Sequence, residues 1–158
     1  MITSHRVLRQ RRARAAMVLR DDERRAQVGW HDLAAWPDWA ALDLPALETL
    51  ARRCGAWRHA GAWRRCISGP LLQALQAQVG ERCVQQVMAS TDGPAGALPD
   101  ADALPGWLRE QGLEVLFASV ASPLLRVMLR ERLAPGSLPS MPAFDGASAQ
   151  RLLAEAQR

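Results

Sequence analysis

Apolar residues return every three or four positions along most of the chain after position 43, and Gly, Pro or Ser-Gly-Pro breaks the rhythm at short intervals. Such spacing places apolar side chains on one face of a helix. Asp43 can cap a first helix, with Pro45 in its opening turn. Leu44, Leu47, Leu50 and Cys54 then share a face, and Gly55 is a natural stop. Trp57, Ala60, Trp63 and Ile67 repeat the pattern. Ser68-Gly69-Pro70 restarts the chain, with Ser68 as cap. Leu71, Leu72, Leu75 and Val79 form the next stripe, closed by Gly80, and Cys83, Val84, Val87 and Met88 make a further short helix.

The stretch from Ser90 to Pro105 has no apolar period and reads as a surface loop rich in Pro, Gly and Asp. Helix returns over Gly106–Pro135. Trp107, Leu108, Val115, Leu116 and Val120 form one stripe, with Gly112 marking a bend or boundary. Ser122-Pro123 gives a cap and a first helical position, ahead of Leu124, Leu125, Met128, Leu129 and Leu133. Residues 147–157 carry one more marginal helical pattern. Upstream, residues 5–27 read as a polar helix or arm with a thin apolar stripe of Leu8, Ala15 and Leu19, which needs a packing partner to persist. The predicted fold is all-α: a single compact domain of about six to seven short helices with an Arg-rich N-terminal helix or arm. Its parts are the arm at 1–27, a helical core at 28–136 with a loop at 90–105, and a C-terminal tail at 137–158.

Composition supports that reading. At 158 residues and 49% hydrophobic, the chain can bury a sizeable core, and its wealth of Leu and Ala with few β-branched residues favours helix over sheet. Every one of the 20 basic residues is Arg. Codon preference in a GC-rich genome explains this more simply than selection for bidentate anion contacts. The net charge of +4 is uneven: residues 1–25 hold eight Arg against three acids, whereas residues 26–158 hold twelve against thirteen. A near-neutral body weakens the case for a whole-domain electrostatic nucleic-acid binder. Three Cys argue against a disulfide framework and for a reducing compartment. No apolar run approaches the roughly 20 residues a membrane span needs, and Ala15–Leu19 is too short for the core of a signal peptide. The expected address is the cytosol.

Candidate chemistry is sparse. Cys54, His59, Cys66 and Cys83 supply four ligand types, but none of the close pairs that mark zinc knuckles or ribbons. Cys54 and Cys83 fall on apolar faces, where a free thiol behaves as a small hydrophobe. There is no nucleophile motif and no Lys-bearing phosphate loop. The reading is therefore of a non-enzyme, with no cofactor and no metal. Two surfaces remain. Arg6, Arg9, Arg11, Arg12, Arg14 and Arg20, with a second cluster of Arg52, Arg53, Arg58, Arg64 and Arg65, suit a small helical DNA-binding regulator. Against this, the segment 71–79, which would be the recognition helix, has no basic residue. Trp30, Trp36 and Trp39 either close one end of the core, with indole N–H groups reaching partners, or anchor an interface.

The residues from Leu50 to Met88, LARRCGAWRHAGAWRRCISGPLLQALQAQVGERCVQQVM, resemble the accessory proteins of the type III secretion sorting platform, the YscK/OrgA/MxiK group. The likeness lies in a helix ending in Arg-Arg-Cys-Ile, an Ile-Ser-Gly turn, a Leu-rich helix closed by Val79-Gly80, and a helix beyond. A second similar stretch is Gly112–Pro135, GLEVLFASVASPLLRVMLRERLAP. The resemblance implies a cytosolic, mostly helical adaptor that bridges the cytoplasmic part of the inner-membrane ring protein and the pod protein of the sorting platform. It carries no catalytic residue. Trp36, Trp39, Arg58 and Arg64 are the expected protein-binding residues, since Trp and Arg are the types enriched at interface anchors.

Overall fold

The computed structural model of the chain describes residues 26–90, 93, 96–134 and 145–158. Almost all of the Arg-rich arm lies outside them. The described residues contain helices and no strand, so the fold is all-α. The chain divides into two units. One comprises Met1–Asp43 and Val120–Ala143, the other Leu44–Ser119 and Phe144–Arg158.

The described part of the first unit holds α1 (Trp30–Ala34), a 3-10 turn at Asp38–Ala41, and, much later in the chain, α7 (Pro123–Leu133). Pro37 ends the run after α1 and precedes the 3-10 turn in extended conformation. Ser122 caps α7: its Oγ accepts from the Leu125 N–H at 3.3 Å, and Pro123 takes the first helical position. The same hydroxyl donates to Asp32 Oδ1 at 2.6 Å, while Asp32 Oδ2 accepts from the Gly29 N–H at 3.1 Å. One carboxylate thus closes the start of α1 and fixes the cap of α7. These bonds hold the Asp32 carboxyl below the ordinary carboxylate range. The Ser122 hydroxyl acts most strongly, desolvation opposes it, and the Gly29 N–H and His31 add to it. Leu33, Trp36, Trp39, Leu125, Met128 and Leu129 are buried.

The second unit is built around α2 (Leu44–Arg58). It packs on α6 (Leu104–Ala118) over its most extensive contact, and also touches α3 (Ala60–Trp63), α4 (Gly69–Val79), α5 (Glu81–Ala89) and α8 (Gly146–Ala156). Leu47, Leu50 and Cys54 are buried as the spacing predicts, although Leu44 is exposed. Gly55 does not stop the helix, and Gly112 does not interrupt α6. Both lie inside continuous helices. A Cβ added at Gly55 would fall on the backbone carbonyl of Leu108, and one at Gly112 on the backbone carbonyl of Ala51. The two glycines are therefore where two helix backbones touch. Each costs roughly 0.5–1 kcal/mol of helix stability relative to Ala, and the contact brings Ala51, Cys54, Leu108 and Leu113 to within a few per cent of full burial.

The remaining boundaries follow the sequence. Ser68 Oγ accepts from the Leu71 N–H at 3.4 Å to start α4. Gly80, with φ +87, ends α4 and begins α5, a left-handed conformation that favours glycine. Cys83 and Val87 face inward. α8 is better integrated than a tail. Asp145 caps it through a 2.7 Å bond from the Ser148 N–H. Ala149, Leu153 and Ala156 are buried, and the helix packs on α2 and α6. Gln150 Nε2 donates to the Ser119 carbonyl at 2.6 Å, closing the end of α6. No helix among the described residues is long and apolar enough to cross a membrane.

Candidate functional site

The four expected partner-binding residues are divided between the units: Trp36 and Trp39 in the first, Arg58 and Arg64 in the second. Trp36 is 3% exposed and Trp39 2%. In this conformation both are core residues, the first of the two roles open to the Trp cluster. The exposed member of that cluster is Trp30, at 56%. Core packing also leaves the indole N–H groups of Trp36, Trp57 and Trp63 buried without a hydrogen-bond acceptor among the described residues; of these, Trp36 belongs to the cluster expected to reach partners.

Arg58 is the last residue of α2 and half-buried. Its Nη1 donates to the Gln111 carbonyl on α6 at 3.5 Å. Burial lowers the guanidinium's pKa, partly offset by Glu114. A side chain so placed ties α2 to α6, and its accessible surface is limited. His59, which breaks the backbone between α2 and α3, belongs to the same cluster. Its Nε2 lies 3.1 Å from Gln111 Oε1, and its ring sits 4.5 Å from that of Trp107 at a tilt of 42°. Burial pulls its pKa below the ordinary histidine value; the Gln111 bond opposes this and Arg58 reinforces it. The ring is therefore neutral near pH 7, with Nδ1 buried and unpartnered among the described residues.

Arg64 is placed differently. It is exposed, and its Nη1 donates to the Ser90 carbonyl just past α5 at 3.2 Å. Arg65 beside it is exposed as well. The helical stripe was expected to continue to Ile67, but α3 ends at Trp63 and Ser68 is extended, so Ile67 leaves the helical register. Trp57, Ala60 and Trp63 are buried as expected, whereas Ile67 is 100% exposed. Ile ranks among the residue types most often buried in folded proteins. Gly69 and Pro70 continue the exposed strip, and Leu71 and Leu72 are half-buried behind it. The segment from Arg64 to Pro70 thus carries one fully solvated aliphatic side chain, Ile67, shortly after two exposed arginines.

Sequence reasoning assigned Ile67 to the core because it counted spacing through a turn. The signal that could have placed it correctly was already read: a Ser cap at 68 requires non-helical backbone just before α4.

The thiols do not form a reactive centre. Cys54 and Cys83 are buried and reduced, Cys66 is partly exposed, and burial pushes the pKa of both Cys54 and Cys83 up, disfavouring thiolate. No family model matches the chain, and no curated protein or solved structure matches it either.

Proposed function

We propose that this chain is a non-enzymatic helical adaptor of a bacterial type III secretion apparatus. It would work at the cytosolic face of the apparatus, bridging the cytoplasmic part of the inner-membrane ring protein to the sorting-platform pod protein. The observation that carries the reading is the Arg64–Pro70 turn. It is the Arg-Arg-Cys-Ile-Ser-Gly element of the resemblance, and it presents Ile67 wholly to solvent two positions after the exposed pair Arg64 and Arg65. An exposed aliphatic side chain close in sequence to two exposed arginines suits a protein partner, where an apolar contact is desolvated and nearby charges set orientation. Arg64 keeps its place among the partner-binding residues. Ile67 and Arg65 join it.

The tight α2–α6 crossing supports the same reading. Ala51 and Gly55 lie in the first stretch that resembles the group, and Gly112 opens the second, so the two stretches meet at one packed contact. The DNA-binding alternative has less to stand on, because α4 follows the exposed turn without a single basic residue.

Affinity purification of the tagged chain from native lysate of a strain bearing the apparatus tests the proposal. Both the ring and pod proteins should co-purify, and Ile67→Asp should reduce at least one of them with helical content unchanged. Absence of both partners, or salt-sensitive recovery of duplex DNA in their place, would overturn it.

A further inference from the structure

A cavity of about 210 Å³ opens between α2, α5 and the end of α8. Arg53 of α2, Arg82, Cys83 and Gln86 of α5, and Glu155 and Arg158 at the chain's C-terminal helix line it. Two of these charges answer each other: Arg158 Nη1 lies 3.0 Å from Glu155 Oε2. Arg53 is positioned by a 3.4 Å bond from its Nε to the Val79 carbonyl. Its charge is felt at Cys83, where it draws the thiol pKa down against the larger upward effect of burial. Among the described residues neither Arg53 nor Arg82 has a carboxylate partner. Among the described residues the cavity therefore holds two guanidiniums with no carboxylate partner, beside a neutral amide and the Glu155 carboxylate that Arg158 answers.

We propose that this cavity binds a small phosphate monoester. Two unanswered positive charges match a group that carries about −1.5 to −2 at neutral pH. The planar fork of Arg offers paired N–H donors to phosphate oxygens, a geometry that a point charge lacks. Gln86 adds an amide able to donate to the same group or to the organic part. The volume exceeds what a phosphate group fills and leaves room for a small carrier, since each water takes roughly 30 Å³ in the liquid. The inference stands apart from the adaptor reading, because the cavity is lined by none of Arg64, Arg65 or Ile67.

Isothermal titration of the full chain with ribose 5-phosphate, at fixed ionic strength, tests it. Inorganic phosphate and succinate serve as comparisons. Ribose 5-phosphate should bind saturably at one site, inorganic phosphate more weakly, and succinate least. Arg82→Glu should weaken the sugar phosphate by about tenfold or more. Arg132→Glu makes the same charge change on an exposed residue that does not line the cavity, and should leave binding intact. Arg82 is exposed, so circular dichroism should show the variant folded, and Arg82→Gln repeats the comparison if it is not. No saturable binding of ribose 5-phosphate, equal binding of succinate, or equal loss in the Arg132 variant would each overturn the proposal.

Discussion

The α2–α6 crossing and the Arg64–Pro70 turn belong to the same unit, a few residues apart along the chain, yet they are built from opposite materials. At the crossing, two glycines let backbone meet backbone, and the surrounding side chains reach nearly complete burial. At the turn, an isoleucine stands fully in water just after two exposed arginines. The crossing spends helix propensity to gain packing. The turn forgoes the roughly 1.5–3 kcal/mol that burying its Ile would contribute. The difference separates residues whose packing holds the unit together from a residue whose side chain contributes little to it.

The largest effect should come from breaking the crossing. Gly112→Val puts a branched side chain into the Ala51 carbonyl, and neither helix backbone can yield locally. A loss of about 3 kcal/mol or more is expected from urea unfolding, and an unchanged midpoint would mean the helices are farther apart than described. Next comes Ser122→Ala in the first unit, which removes the cap of α7 and the hydroxyl bond to Asp32. The cap alone is worth ~1 kcal/mol. Because Asp32 titrates below its ordinary range in the fold, its contribution is present above the ordinary carboxylate pKa and is lost as pH falls through the lowered one. Acid unfolding should therefore be shallower in the Ser122 variant than in the parent.

A smaller effect is expected at His59. The folded protein holds the ring neutral, so the unfolded chain takes up the proton first as pH falls below about 6.5. Stability present above that pH should decline below it. His59→Gln should flatten the change in melting temperature between pH 7.5 and 5.5, and an unaltered slope would remove His59 as its source. Smallest of all is Ile67→Asp, expected within about 0.5 kcal/mol of the parent. A large destabilisation there would erase the contrast with the crossing and make Ile67 a structural residue.

The helix boundaries were legible because they are local chemistry. Ser68, Gly80 and Ser122-Pro123 each satisfy or end a helix through atoms within four residues of themselves. The roles of Gly55 and Gly112 were not legible. A glycine in an apolar stripe signals a stop or a close approach, and only the partner helix decides between them. The one local hint was Ala51 four residues before Gly55, which puts two small residues on one face. Trp36 and Trp39 are a different case. Their residue type is enriched both in cores and at interfaces, so composition could not say which role they take. The C-terminal helix looked marginal because its stripe is mostly Ala, and Ala gains its value from how closely α2 and α6 can approach it.

The glycine contact also bears on how the chain folds. Arg58 and Gln111, whose bond lies beside the crossing, are 53 positions apart. The short helices between them form from neighbours in sequence, but the two glycines can meet only after a long loop has closed, and its entropy must be lost before the contact returns anything. Substitutions that spoil the crossing should then accelerate unfolding or slow folding depending on whether that closure precedes the barrier. The ratio of those two rate changes in the Gly55 and Gly112 variants would date the event.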